Sequence, residues 1–237
     1  MFERNRFAGG DRVGDTNQLT VALTSRFNDL RTGAERARIS VGQVHYFDDW
    51  DVTLSGHCGM ADCSDTDSPL AGEVALSPLD NLEIRSSGLW DPESRQTLEG
   101  RSQLTFHSDD YRYLATLGHT YRRDDPASAS DDSLEQSDIG TVFPITDRVS
   151  AIGRWVYDSS DDRTAGSLAG IEYNNCCWSV QLVHQNYLTS DKKLDSRILF
   201  RVELKGLGGS GGATEDLSGA IYGYDERERR RFGAPPR

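Results

Sequence analysis

No run in this sequence approaches the roughly 20 apolar residues that a membrane-crossing helix needs, so it offers no membrane helix. Basic charge is in deficit: 26 Lys and Arg against 38 Asp and Glu leave a formal net charge of −12. Nucleic acid selects a basic stripe, and this balance excludes it as an expected partner. The signatures of catalysis are also absent. His45, His57, His107, His119 and His184 are scattered, and no H-E-x-x-H, G-x-S-x-G or P-loop pattern occurs. No enzyme activity and no cofactor are expected. No signal-peptide pattern starts at Met1, because Phe2-Glu3-Arg4-Asn5-Arg6 is charged and no apolar segment follows. Either the protein is cytosolic, or Met1 is not its natural start. Mean hydropathy is low, −0.61. A transmembrane β-barrel tolerates that, since only every second strand residue has to be apolar.

What the sequence does contain is alternation. Leu19, Val21 and Leu23 oppose Thr20, Ala22, Thr24 and Arg26, and Ala37, Ile39 and Val41 oppose Arg38, Ser40 and Gly42. This period of two marks strands with two different faces. It recurs over 72–77, 82–90, 96–107, 111–123, 134–143, 149–157, 164–173, 176–188 and 194–205, giving about eleven strands and no convincing helix. Most are near the roughly 9–11 residues that cross a bilayer at a tilt. Connections alternate. Turns at 28–35, 78–81, 108–110, 144–148 and 174–175 fall on one side; loops at 48–70, 91–95, 124–133, 158–163 and 189–192 fall on the other. Short turns opposite longer loops is the layout of outer-membrane barrels. One face carries charges such as Arg38, Glu83, Arg85, Glu99, Arg101, Arg154, Arg201 and Glu203. The other is aliphatic, with aromatics near strand ends. The expected fold is therefore all-β, an antiparallel transmembrane β-barrel. Eleven is odd for a single-chain barrel, which suggests strands preceding Met1. Residues 1–206 form the barrel portion, and the Gly-rich, charged segment 207–237 is expected to be a poorly ordered tail.

Four cysteines fall in two clusters, Cys58 with Cys63 and Cys176 with Cys177. The first pair, with His57 and Asp62 nearby, is short of the four fixed-spacing ligands of a structural zinc site. No metal is expected, and a loop disulfide or two free thiols is the reading. Cys176 and Cys177 are adjacent at a strand start, so they point to opposite faces. A bond between them would be strained. Two clusters at opposite strand ends, about ten residues apart, are too far from each other to pair. The acidic loops offer oxygen ligands for a divalent cation, or simply solvated charge.

The segments NRFAGGDRVGDTNQLTVALTSRF, SVGQVHYF, WDPESR, GRWVYD and GIEYNNCCW…ELKGLGG resemble the LPS-assembly protein family LptD. The double cysteine before Trp178, with the Glu203-Leu204-Lys205-Gly206-Leu207-Gly208 end, is the specific part. The resemblance covers most of residues 1–209 and implies the C-terminal portion of the family's barrel. It implies an outer-membrane translocon that inserts lipopolysaccharide by lateral release where the first and last strands meet. Leu194 to Lys205 would be the last strand, one lip of that seam. Cys176 and Cys177 would bond to cysteines outside this chain, nearer the N-terminus. Implied partners are lipopolysaccharide, an LptE-like lipoprotein plug, an N-terminal jelly roll and the early barrel strands. Arg38, Arg85, Arg101, Arg154 and Arg201 are expected to face the lumen, meeting phosphates or, the favoured fate, neighbouring carboxylates. Two rival readings are another outer-membrane barrel, porin-like, and a soluble secreted glycan-binding β-domain.

Overall fold

Neighbouring residues of an extended chain point to opposite faces, and the alternation of this sequence is realised as strands. The computed structural model describes residues 17–48, 67–123, 133–189, 193–204, 208–211, 217 and 219–232. The strands are β1 (Gln18–Asn28), β2 (Glu35–Tyr46), β3 (Leu70–Leu79), β4 (Leu82–Asp91), β5 (Gln96–His107) and β6 (Leu114–Arg122). They continue with β7 (Leu134–Pro144), β8 (Val149–Asp158), β9 (Arg163–Asn174), β10 (Trp178–Leu188), β11 (Leu194–Leu204) and β12 (Gly208–Gly211). All twelve lie in one sheet in sequence order. The expected all-β, antiparallel architecture is borne out. Among the described residues no helix is long and apolar enough to cross a membrane.

The chain divides into two units, one from residues within 1–76, 85–101 and 121–134, the other from residues within 77–84, 102–120 and 135–237. In the first unit, β1 and β2 pair with Leu23 opposite Val41 and Phe27 opposite Ala37. Leu19, Val21, Leu23, Phe27, Ile39 and Val41 all present one exposed apolar face, with Leu23 at 72% exposure. The other face buries Val44, Ala71 and Ala75 and carries Arg38. Gly33, with φ of +72°, closes the β1–β2 turn. Asp29 fixes that turn by accepting the backbone N–H groups of Arg31 at 2.8 Å and Thr32 at 3.1 Å. Those two hydrogen bonds hold its carboxyl below the ordinary aspartate range.

In the second unit the register builds continuous rows across strands. Phe143, Ala151, Ile171, Leu182 and Phe200 stand side by side on β7 to β11. With Ile139, Trp155 and Ile198 they form an exposed apolar face. On the opposite face lies a second row, Val142, Ile152, Gly170, Val183 and Leu199. Beside it runs a third, Pro144, Ser150, Glu172, Gln181 and Arg201. The third row is largely polar and largely buried.

The segment expected to be a poorly ordered tail supplies what buries these rows. Its described residues include β12, which pairs with Arg201–Leu204 of β11, and a helix, α1 (Tyr224–Phe232). The sequence Tyr224-Asp225-Glu226-Arg227-Glu228-Arg229-Arg230-Arg231 has no apolar stripe, so it reads as a solvated charge run. Its helix is supported by Glu226 pairing with Arg229 and Arg230, both at 2.6 Å. Acidic residues in the first turn and basic ones in the last also suit the helix dipole. A second departure is at β6, which begins at Leu114 instead of Tyr111, because Tyr111 sits in the preceding turn with φ of +55°.

Close approach of β9 and β10 depends on Gly170. A Cβ there would lie 2.7 Å from the Leu182 carbonyl oxygen and 2.8 Å from Val183 Cγ2. Gly72 has nothing within 4 Å of the same position. Gly170→Ala is therefore expected to destabilise the protein by about 1–3 kcal/mol, and Gly72→Ala to leave stability near that of the parent. Urea unfolding in detergent compares the two.

Candidate functional site on the inner sheet face

The face opposite the exposed apolar rows is where polar chemistry collects. Glu172, on β9, is fully buried and takes a five-donor set. Arg227 of α1 reaches it with both ends of the guanidinium, Nη2 to Oε1 at 3.0 Å and Nη1 to Oε2 at 3.2 Å. Tyr224 donates its hydroxyl to Oε2 at 2.5 Å, and Gln181 donates to Oε2 at 3.3 Å. Asn174 donates to Oε1. Arg227, itself fully buried, also donates to Glu228 at 3.0 Å and to Ser150 Oγ at 3.3 Å. Gln181 further donates to the Tyr224 oxygen at 2.7 Å. A charge taken from water is tolerated only with this degree of pairing.

Apolar anchors flank the network. Leu217, Ala220, Ile221 and Tyr224 pack against Leu114, Val142, Ile152, Leu168 and Val183, with Leu199 at the margin. Full burial of Leu217, Ile221 and Tyr224 contributes about 1.5–3 kcal/mol each. Gly140 leaves the space Ile221 fills, since a Cβ there would sit 3.5 Å from Ile221 Cγ2 and 2.5 Å from Thr116 Oγ1. Gly223, with φ of +76°, makes the left-handed turn into α1. Alongside, a cavity of about 330 Å³ is lined by Gln136, Arg154, Ser167, Gln185, Asn186 and Ala220, among others.

Glu172, Glu203 and Glu228 crowd together around Arg201 and Arg227, with Arg231 also acting on Glu172. Glu228 carries the cost. Burial first, then the Glu172 charge, push its pKa up to about 8, against the pull of Arg227 and Arg201. Burial and the same Glu172 charge push the Tyr224 phenol well above its ordinary range, so it stays a donor.

The arginines expected to face the lumen divide by partner. Arg38 lies 3.5 Å from Glu35 and 3.6 Å from Glu73. Arg154 lies 3.5 Å from Asp138, and Arg201 lies 2.5 Å from Glu203. Arg85 and Arg101 are exposed and also have interaction partners. Arg154 and Arg201 share the inner face with Glu172. Arg227, Tyr224 and Glu172 were not among the expected site residues. The signal was present in Glu172, a carboxylate at an inward position of β9, but its partner lies 55 residues away in a charge run. Cys176 and Cys177 lie exposed in the β9–β10 turn as two thiols, with Sγ atoms 2.8 Å apart. Cys58 and Cys63 lie outside the described residues. No group of metal-ligating side chains occurs among the described residues.

An exposed apolar face, a polar inner face and strands of ten to twelve residues define a wall of a transmembrane β-barrel. Comparison with known proteins gives the family. Residues 1–155 match the family model LptD, described as LPS transport system D. The chain is 71% identical over 237 residues to an LPS-assembly protein LptD from Marinobacter nauticus, covering all of this chain and 29% of that protein. It is 43% identical to one from Hahella chejuensis, covering 98% of this chain and 28% of that protein. A third, from Nitrosococcus oceani, is 35% identical over 95% of this chain and 29% of that protein. The chain belongs to the LptD family of LPS-assembly proteins and spans less than a third of the length of these relatives.

Removing one partner of a buried ion pair costs about 3–5 kcal/mol. Arg227→Met and Glu172→Gln are each expected to destabilise by that order. The double variant is expected to lose clearly less than the sum, as a double-mutant cycle in urea would show.

Glu228 also gives docking of α1 a pH dependence. Its folded pKa lies above the ordinary 4.5, so the docked state keeps a proton that the released state gives up. This stabilisation is complete below pH 4.5, declines as pH rises, and is gone above about 8, roughly tenfold in the docking equilibrium per pH unit within the window. Proteolytic susceptibility of 217–232 should rise from pH 5 to pH 9, and Glu228→Gln should flatten the profile.

Proposed function

We propose that this chain is part of an outer-membrane translocon that inserts lipopolysaccharide into the outer leaflet by lateral release at a barrel seam. The observation that carries the reading is the two-faced wall of the second unit: exposed Ile171, Leu182, Ile198 and Phe200 on one side, and Glu172, Gln181, Arg154 and Arg201 on the other. An amphipathic lipid needs both surfaces, an apolar exit for its acyl chains and a hydrated path for its sugars and phosphates. The relatives' names as LPS-assembly proteins support the same assignment, as does the family's description as a transport system. The role is translocation without covalent chemistry.

On this reading β11 is one lip of the seam. Among the described residues its outer edge is paired with β12 only from Arg201 to Leu204. An edge strand with unpaired backbone groups is a docking edge for another strand, here the first strand of the intact barrel. The partners are lipopolysaccharide, an LptE-like lipoprotein plug, and the jelly roll and early strands of the intact protein. Cys176 and Cys177, exposed in a turn, are free to bond to cysteines elsewhere in that protein. The ion pairs of Arg38, Arg154 and Arg201 favour a structural role for these three; Arg85 and Arg101, which also have partners, are the more exposed of the five.

A photo-crosslinker at Leu199 of the intact protein is expected to capture lipopolysaccharide in cells exporting it. Capture of none would remove β11 from the path. Arg85→Glu together with Arg101→Glu, both exposed, is expected to slow the arrival of labelled lipopolysaccharide at the cell surface severalfold while the barrel still folds. Unchanged export would take both arginines out of the transport role.

A further inference from the structure

We propose that residues 217–232 act as an internal clamp that holds strands β6 to β11 in one register. The inner face carries an apolar row, Val142, Ile152, Gly170, Val183 and Leu199, that a water-filled lumen does not call for. In a polar lumen these side chains need a cover. Leu217, Ala220, Ile221 and Tyr224 supply it, forming one buried cluster with Leu114 of β6, Val142 of β7, Ile152 of β8, Leu168 of β9 and Val183 of β10, with Leu199 of β11 alongside.

The polar row next to it gives the clamp its accuracy. Arg227 takes Ser150 of β8 and Glu172 of β9 at once, while Tyr224 takes Glu172 and Gln181 of β10. These three strands are adjacent, and Ser150, Glu172 and Gln181 are direct register partners, the first two accepting and Gln181 donating. Slipping any one strand by a single residue turns its row to the lipid side. A slip of β8 or β9 would then cost Arg227 an acceptor, in β9 leaving a buried charge unpaired, and a slip of β10 would remove the Gln181 donor from Tyr224 and Glu172. Apolar anchors alone would tolerate a slip that brings another aliphatic residue under them; the ion-pair network does not. The clamp also works only in the docked state. A nine-residue helix with little apolar content is marginal by itself in water, so α1 is formed by its seat as much as the seat is fixed by α1.

A clamp makes β6 to β11 a single stiff panel ending at β11. Under lateral release, a consequence that rests on the reading above, the lip formed by β11 moves with its five neighbours and does not fray away from β10.

Hydrogen exchange on the intact protein, followed by mass spectrometry, tests the clamp. The backbone amides of β8, β9 and β10 are bonded to neighbouring strands and not to residues 217–232. In Arg227→Ala their exchange is nevertheless expected to rise at least tenfold, together with that of 217–232. Val74→Ala, in the other unit, serves as a control of general instability and should leave β8 to β10 unchanged. A rise confined to residues 217–232, or the same rise in the control, overturns the clamp. If Arg227→Ala fails to fold, Tyr224→Phe, which removes only the hydroxyl, should raise exchange in β9 and β10 more than in β6; an equal or absent change there also overturns it. Surface display of lipopolysaccharide is read separately. Faster β8 to β10 exchange with normal display upholds the clamp and counts only against a stiff lip in lateral release.

Discussion

Register governs this structure. With a side-chain period of two, a strand in this sheet has one face for an apolar surround and one for a polar interior, and a slip of one residue exchanges them. The rows Phe143–Ala151–Ile171–Leu182–Phe200 and Pro144–Ser150–Glu172–Gln181–Arg201 are two consequences of the same pairing. The first makes a continuous apolar band, the second a continuous polar track. Neither exists in any single strand. Glycines tune the spacing where one face must be crowded, as at Gly170 beside Val183 and at Gly140 beneath Ile221.

The polar track carries its own problem, which is charge under cover. Glu172 could have been left to water, as Glu135 is at the start of β7. Instead it is capped by Arg227, Tyr224, Gln181 and Asn174. Such a network is a poor way to gain stability, because well-packed apolar groups do as well without the desolvation cost. It is a good way to require one arrangement, because each polar atom has a specific partner to lose. The raised pKa of Glu228 fits this view. This residue is the member of the cluster whose charge can be relinquished without breaking the Arg227–Glu172 fork.

Much of the fold was legible in the sequence. The alternating runs around 17–27, 36–47, 82–90, 96–107, 134–143, 149–157, 164–173 and 194–205 are the observed strands within one or two residues at nearly every end, because alternation is a local property. The family resemblance was legible from Cys176-Cys177-Trp178 and the Glu203–Gly208 end. What could not be read was the covering of the inner face. Arg227 sits within a run of eight charged or polar residues, 224–231, and local pattern assigns such a run to solvent. Its burial depends on a carboxylate 55 positions away and on five strands arriving in register first. The tail's apolar residues, Leu217, Ala220, Ile221 and Tyr224, do follow a spacing of three and four. Glycines at 219 and 223 interrupt that pattern, and one of them is needed for the turn into α1. The expected lumen arginines were chosen by strand parity alone, and parity gives the face and not the partner. It put Arg154 and Arg201 on the face of Glu172, but not the carboxylates Asp138 and Glu203 beside them.

A barrel wall that must open for a lipid faces two opposed demands. The opening edge needs few bonds across it, and every strand behind it needs not to follow. Backbone ladders alone do not separate the two, since each pair of neighbouring strands in a sheet is held by the same kind of bond. An element that crosses several strands on one face does separate them, because it resists relative sliding of the strands it touches and ignores the edge it does not. Residues 217–232 have that geometry. They bridge β6 to β10 with Leu199 of β11 at the margin, and the described edge of β11 beyond Arg201 remains open to another strand. Side-chain chemistry on the inner face thus sets where a sheet of uniform backbone bonding can yield.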